Sequence, residues 1–444
     1  MYASSEVGSA HFHWSNLVNL SVLVGYQRIT LLQGPMGSFF RRLSAHLKRQ
    51  GLEVQKINFN FGELAYYPRG AANYRGSFSE FESFFEHHLT QHRTAAIVLY
   101  GDCRPYHQIA IAAARRHGVA VFVFEEGYLR PDYVTFEPDG VNALSTLHTR
   151  RIDHFDRTML RTGAQTGLTA SFLRRAVTAS AFYALAFIGQ PLFRQYRHHR
   201  VLNPFTEALH WLKSALVWAI SHMSGSDRKV QQLAAAQWSR RYTLVALQLD
   251  VDSQVQTHSQ FESNAQFAAQ IVASFAQHAL PTHRLVVKQH PFDLGHIELA
   301  RRVRQAALHA GVADRVHFVR VSHTTTLVKH AAGVVTINST VGMSALHHGT
   351  SVLALGRAIY ALAGLTHQGS LRDFWTRPAQ VQHDQWLRFR QTLKAAALVN
   401  GCFYGRFPEF EAPTAPQLSQ SIDNTAATPT QERDGHLPVL KYDA

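Results

Sequence analysis

Val119–Phe124 (VAVFVF) carries no polar side chain and runs directly into Glu125-Glu126-Gly127-Tyr128-Leu129-Arg130-Pro131. A short unbroken apolar run reads as a strand buried on both faces, as in a parallel sheet covered by helices. The sequence on either side agrees. Pro105 to His117 reads as a helix with Pro at its start and Gly118 at its end, the asymmetry expected of helix termini. Ala95–Tyr100 (AAIVLY) is another buried strand. Upstream, Arg28–Gln33 (RITLLQ) leads through Gly34-Pro35-Met36-Gly37 into a helix from about Ser38, and Val54–Phe59 follows as a strand. Phe39, Phe40, Leu43 and Leu47 share one face of that helix, and Gly51 stops it. Strands alternating with helices predict an α/β unit over residues 1–149.

The scheme repeats downstream. Strands are expected at Tyr242–Leu247, Arg284–Val287, Arg315–Val319, Gly333–Ile337 and Ser351–Leu355, with helices at about 264–279, 296–310, 323–331 and 340–348. This makes a second Rossmann-like domain of residues 242–410. Two such domains facing a central cleft describe the GT-B architecture, among others, and fold class alone does not give function. Residues 411–444, rich in Pro, Thr, Ser, Gln and Asp, read as a disordered tail.

The 444 residues suffice for two or three domains, and 46% hydrophobic residues exclude a disordered chain. Only Cys103 and Cys402 occur, which excludes a disulfide framework and fits a reducing compartment. A net charge of +14 asks for an anionic partner. Its location narrows the choice. Residues 150–241 hold 14 Lys and Arg against 4 Asp and Glu, a net +10, beside the apolar segments Phe182 to Phe193 and Trp211 to Ile220. Basic residues next to apolar faces suit a helix lying in an anionic membrane interface. The plainer alternative is a solvated hairpin packed on one domain. Residues 1–27 have no Lys or Arg, so the basic start of a signal peptide is missing. Ala176 to Phe193 is uncharged but contains Thr178, Ser180, Gly189, Gln190 and Pro191, and it does not read as a clean transmembrane span. A cytoplasmic protein, peripheral on the inner face of the cytoplasmic membrane, is expected. Nucleic acid is not an expected partner, because no recognisable binding motif accompanies the charge.

Ligands of open α/β sheets bind at the carboxyl ends of the strands, and four polar clusters occupy such positions. Lys288-Gln289-His290-Pro291 follows the strand LVV; a Lys and a His there can neutralise a phosphate, although an exposed, solvated pair is the commoner use of such residues. Asn338-Ser339-Thr340-Val341-Gly342 opens a helix, where Ser and Thr cap and the first N–H groups attract anions. Gln248-Leu249-Asp250-Val251-Asp252-Ser253-Gln254 offers two carboxylates as nucleophile or base, against the ordinary use of Asp in turns. Glu125 and Glu126 form the fourth cluster, with Arg130 as a plausible structural ion-pair partner. Two polar loops add candidates. Gln33-Gly34-Pro35-Met36-Gly37 can bring backbone close to a ligand, and Leu365-Thr366-His367-Gln368-Gly369 is expected to face the cleft.

Taken together, these pieces resemble the bacterial capsular polysaccharide biosynthesis/export proteins of the KpsS/LipB type. The resemblance is carried by QGPMGSFF (33–40), EEGYLRP (125–131), DGVNALS (139–145), QLDVDSQV (248–255), VVKQHP (286–291), NSTVGMSAL (338–346), AIYALAGLTHQGSLRDFW (358–375) and NGCFYG (400–405). It implies a GT-B fold and a retaining β-Kdo glycosyltransferase. CMP-β-Kdo would be the donor, bound by the C-terminal domain with no metal or other cofactor. A (lyso)phosphatidylglycerol lipid would accept the sugar and begin a poly-Kdo linker, with other capsule assembly proteins as further partners. By the same resemblance His290 and Lys288 would hold the CMP phosphate beside Pro291, and Ser339 and Thr340 would donate hydrogen bonds to the donor. Asp252 would be the nucleophile, with Asp250 the neighbouring alternative. Glu125 or Glu126 would be the general acid/base or position the acceptor. Two other classes stay open: a non-catalytic capsule export or assembly component, and a GT-B transferase using another nucleotide sugar.

Overall fold

A computed structural model of the chain describes residues 20–130, 132–149, 172–197, 204–249, 261–293 and 298–405. In the first half β1 (Arg28–Leu31), α1 (Phe39–Arg49), β2 (Glu53–Asn58), α2 (Phe61–Tyr66), β3 (Ala72–Asn73), α3 (Phe81–Gln91), β4 (Ala96–Tyr100), α4 (Pro105–Arg116), β5 (Ala120–Glu126) and β6 (Tyr133–Pro138) succeed one another. Three helices follow, α5 (Phe172–Ile188), α6 (Pro204–Ser224) and α7 (Ser226–Ala235). The second half runs β7 (Tyr242–Ala246), α8 (Asn264–His278), β8 (Arg284–Lys288), α9 (Glu298–His309), β9 (Val316–Val319), α10 (Thr324–His330), β10 (Gly333–Thr336), α11 (Thr340–His347), β11 (Ser351–Ala354), α12 (Leu371–Thr376), α13 (His383–Ala396) and β12 (Leu398–Asn400).

The strands form a seven-stranded sheet, β12-β6-β5-β4-β1-β2-β3, and a five-stranded sheet, β11-β10-β7-β8-β9. The second sheet is parallel throughout. Both contain the doubly wound order, in which the connections reverse between β1 and β4 and between β7 and β10. The apolar runs follow from this topology. Phe122 and Phe124 enter one core of the first sheet and Val121 and Val123 the other, so every residue of the run is used. Val334 and Val335 split between the two cores of the second sheet in the same way. Two Rossmann-like domains in one chain make this a GT-B fold.

The structure departs from the sequence reading in three places. The first sheet is mixed, because β6 runs antiparallel to β5. The second domain does not keep all of residues 242–410: β12 crosses back and pairs antiparallel with β6, Leu398 opposite Thr135 and Asn400 opposite Tyr133. The stretch 150–241 is also not one appended unit. Ala234 of α7, with Val230 and Trp238, packs into a core of the second sheet, whereas α5 packs on the first domain.

That last contact is close. A Cβ on Gly189, just past α5, would lie 2.0 Å from Cβ of Phe61, and one on Gly62 would lie 2.8 Å from the Phe182 carbonyl oxygen. Phe182 and Ala186 are buried in the contact. Gly189→Ala should therefore destabilise the protein by about 1–3 kcal/mol, as overpacking of a filled interior does. Chemical denaturation of the variant and the parent measures this, and equal midpoints would mean that the contact is loose.

Candidate functional site

The carboxyl ends of the two sheets carry the polar clusters, and the domains meet at a small cavity of about 20 Å³. Tyr128 and Asn142 line it from the first domain, and Asn338, Thr340, Met343, Arg357 and Tyr360 from the second. Asn338 follows β10 and Gln248 follows β7, so they flank the reversal point of the second sheet. Their side-chain amides bond at 2.9 Å, and the Asn338 N–H donates to Gln248 Oε1 at 3.1 Å. Ser339 is the N-cap of α11, its Oγ accepting the Val341 N–H at 3.2 Å. Tyr360 OH donates to the Ser339 carbonyl at 2.5 Å. The capping reading and the ligand reading thus divide between neighbours: Ser339 caps, and Thr340 lines the cavity.

On the first-domain side the wall is set by a buried carboxylate. Glu137 is fully buried and accepts Tyr128 OH at 2.7 Å and the Ser145 hydroxyl. Tyr128 OH in turn accepts the Asn142 N–H at 2.6 Å. A buried carboxylate needs such partners, and here they fix two cavity-lining residues. Burial, with the Glu137 charge, raises the Tyr128 hydroxyl well above its ordinary range, so it stays a donor.

Lys288 ends β8, buried, with Nζ donating to the Gln289 carbonyl at 3.2 Å. Burial lowers it to about 8, against the pull of Asp227. Burial, with Lys288 and Arg130 adding, lowers His290 to about 4, so its imidazole is neutral at pH 7. Arg130 therefore acts across the domains on His290. The Arg130 Nε donates to the Gly127 carbonyl at 3.2 Å. Pro291 opens a 3-10 turn closed by the Asp293 N–H on the His290 carbonyl at 3.0 Å.

Glu125 and Glu126 end β5. The cation on Glu126 is Arg175 of α5, with Nη2 3.0 Å from Oε1, rather than Arg130. Glu125 accepts the Glu126 N–H at 2.9 Å. Burial pushes Glu125 up to about 7, that hydrogen bond opposing and the Glu126 charge adding.

Other expectations land differently. The glycines of 34–37 admit the protein's own groups: a Cβ on Gly34 would meet the Phe40 ring at 2.8 Å, and Gly37, at φ +100, meets Thr178 of α5 at 2.9 Å. Gln33 is buried and donates to Tyr196 OH at 2.6 Å. Gly34 N–H donates to Glu63 at 3.3 Å, which also pairs with buried Lys56 at 3.6 Å. His367 does not face the cleft. Its N–H donates to Val352 of edge strand β11 at 2.8 Å, and its ring packs on Phe374, which closes over Gly333 at the amino end of β10. Gln368 folds back on Thr366. Asp250 and Asp252 lie outside the described residues, as does Pro131. The sequence reading passed over Arg357 and Tyr360, although Gly356-Arg357 follows β11 at a carboxyl end like the other motifs.

The family of capsule polysaccharide biosynthesis proteins matches residues 95–404. The capsule polysaccharide modification protein LipB of Neisseria meningitidis serogroup B is 34% identical over 406 residues, 88% of this chain and 94% of that protein. The capsule polysaccharide export protein KpsS of Escherichia coli is 33% identical over 388 residues, 87% and 99% of the two chains. Among solved structures, the beta Kdo 2,7 transferase of Thermosulfurimonas dismutans KpsC aligns at 15% identity and TM-score 0.41, over 80% of this chain and 94% of that one.

A carboxyl group raised in the folded state binds its proton more tightly there than in the unfolded chain. The stability it carries is present below its ordinary value of 4.5 and is lost as pH rises through about 7. Glu125→Gln, a neutral isostere, should match the parent in thermal stability near pH 4.5 and exceed it at pH 8. Parallel melting curves at the two pH values test this; an equal or lower midpoint for the variant at pH 8 contradicts the assignment.

Proposed function

The chain belongs to the family of capsule polysaccharide biosynthesis proteins, and on that premise we propose that it is a retaining β-Kdo transferase. It would move Kdo from CMP-β-Kdo to a (lyso)phosphatidylglycerol acceptor and so begin the poly-Kdo linker of a capsule chain. The observation that carries this reading is the pair of polar clusters at the carboxyl ends of the two sheets, one with phosphate-binding chemistry and the other with proton-transfer chemistry. Lys288, His290 and the Asn338–Thr340 turn stand at carboxyl ends of the second sheet, and Glu125 and Glu126 stand at the carboxyl end of β5.

Retention needs two displacements. The carboxylate of Asp252, or of Asp250 beside it, attacks the anomeric carbon, and the breaking bond leaves its electron pair on the CMP phosphate. Lys288 neutralises that charge; neutral His290 and Thr340 serve by hydrogen bonding. The acceptor hydroxyl then attacks the same carbon, frees the aspartate and gives its proton to Glu125 or Glu126. A side chain poised near neutrality suits that transfer.

The lipid acceptor fits the outer face of the insertion. Leu209, Leu212, Leu216, Ile220 and Met223 recur at three- and four-residue spacing along α6, and all are more than half exposed. Such a stripe in a basic segment suits a monolayer of anionic lipid. Among the described residues no helix is long and apolar enough to cross a membrane. Replacing Leu212 and Leu216 together by Asp should weaken sedimentation with phosphatidylglycerol vesicles by at least about tenfold, and unchanged binding would argue for the solvated hairpin.

The direct test is transfer from CMP-Kdo to a fluorescent phosphatidylglycerol analogue. Asp252→Ala should abolish it at unchanged thermal stability, and a peptide carrying one Kdo on Asp252 should be detectable by mass spectrometry. Intact transfer in that variant with an inactive Asp250→Ala moves the nucleophile to Asp250. CMP, and not UDP, should raise the melting temperature; the reverse result points to another nucleotide sugar. No release of CMP with any acceptor, together with normal capsule in a strain carrying the folded Asp252→Ala protein, would leave an export or assembly role.

A further inference from the structure

We propose that Arg175 is a positioning residue for the acceptor-side carboxylates: it reaches in from α5, forms an ion pair with Glu126, and leaves Glu125 as the group that exchanges a proton. The catalytic consequence rests on the transferase reading above; the pairing itself is a property of the free protein.

Successive strand residues point to opposite faces of a sheet. Glu125 and Glu126 pair with Thr135 and Val134 of β6, so adjacent carboxylates meet different surroundings. Glu126 is 3.0 Å from the Arg175 guanidinium, which lies over the Tyr404 ring at 5.5 Å. Glu125 instead turns toward Gly101, where a Cβ would lie 3.4 Å from Oε2. Its charged neighbours are Arg104 at the head of α4 and Asp102, with Tyr100 of β4 close to both carboxylates. Cys402 and Tyr404, which follow β12, complete the ring of groups facing Arg175. Two neighbouring acids held in unlike surroundings are the usual arrangement for separate roles.

The position of Arg175 is set by packing further along its helix. Arg175, Phe182 and Ala186 share one face of α5 at spacings of seven and four residues. Phe182 and Ala186 are buried against the first domain, and Val177 and Ile188 on the opposite face are 60% and 69% exposed. Gly37 and Gly62 leave the room that lets Thr178 and Phe182 approach. The guanidinium is therefore delivered by a docked helix, with its side chain 40% exposed.

Arg175→Ala, Arg175→Lys, Glu126→Gln and the double variant Arg175→Ala/Glu126→Gln separate this role from simple packing. Removing the cation leaves a carboxylate that the native state prefers to protonate, so stability must fall more steeply as pH rises. The melting-temperature deficit of Arg175→Ala should be larger at pH 8 than at pH 5. The double variant should lose that difference, and Arg175→Lys should show little of it. In the transfer assay Arg175→Ala should lower kcat at least about tenfold with KM for CMP-Kdo unchanged, shift the pH–rate profile, and be partly rescued by Lys. An equal deficit at both pH values, or a folded Arg175→Ala protein with parental kcat and pH profile, overturns the assignment. If the parent transfers nothing while the pH-dependent deficit is present, the transferase reading fails and the Arg175–Glu126 pairing stands.

Discussion

Leu398, Val399 and Asn400 lie opposite Thr135, Val134 and Tyr133 across the boundary between the two domains, where the Phe136 N–H donates to the Ala397 carbonyl at 2.8 Å and the Gly401 N–H to the Asp132 carbonyl at 3.0 Å. A three-residue strand adds little free energy by itself, yet the geometry of the cleft follows from it. The chain leaves the second domain through α13 and closes the open edge of the first sheet, which would otherwise stand unpaired. Tyr128 and Leu147 of the first domain then enter a core otherwise built by the second, and the Asn400 side chain donates to the Asp132 carbonyl at 2.9 Å. The cavity lined by Tyr128, Asn142, Asn338 and Thr340 exists because these contacts hold the two carboxyl edges together.

Three buried carboxylates among the described residues show how such charge is held. Glu137 holds Tyr128 and Ser145. Glu63 accepts the Phe59 N–H at 2.8 Å and neutralises Lys56 beneath the Gly34 turn. Asp227 accepts the Arg320 and Val321 N–H groups at 3.0 and 2.6 Å and acts on Lys288. Isolated buried charges would cost several kcal/mol each; paired and hydrogen-bonded, they fix the side chains that border the cleft. Lys288, His290 and Glu125 are moved from their ordinary ranges chiefly by burial, and they stand at strand ends where a ligand is expected.

The basic segment between the domains has two attachments instead of one. α5 lies on the first domain and supplies Arg175, whereas α7 lies on the second and supplies Asp227. Between them α6 keeps an apolar stripe turned to solvent. An element that touches both polar clusters from outside the cleft and still has an unfilled apolar face is suited to link a surface to the site.

Most strand positions were legible because two-sided burial shows as an apolar run, from ITLL to GVV, although β2 (EVQKIN) and β9 (VHFV) carry polar residues. The Glu125-Glu126, Lys288-Gln289-His290 and Asn338-Ser339-Thr340 clusters were legible for a related reason, since a polar motif after such a run must lie at a carboxyl end. The same logic misplaced His367: a polar loop does not announce which end of a sheet it borders, and hydrogen bonding to Val352 decides that. β6 escaped notice because its half-polar alternation is that of an antiparallel strand, and β12 because three residues carry no period. The sequence by itself determined two Rossmann-like domains and the chemistry at their strand ends, since burial and turn formation are local properties of the chain. Only the tertiary structure decided that β12 returns to β6, that Gly34 and Gly37 make room for Phe40 and α5, and that the cation on Glu126 is Arg175. Those facts depend on pairings between residues far apart in sequence, which packing sets and local pattern does not encode.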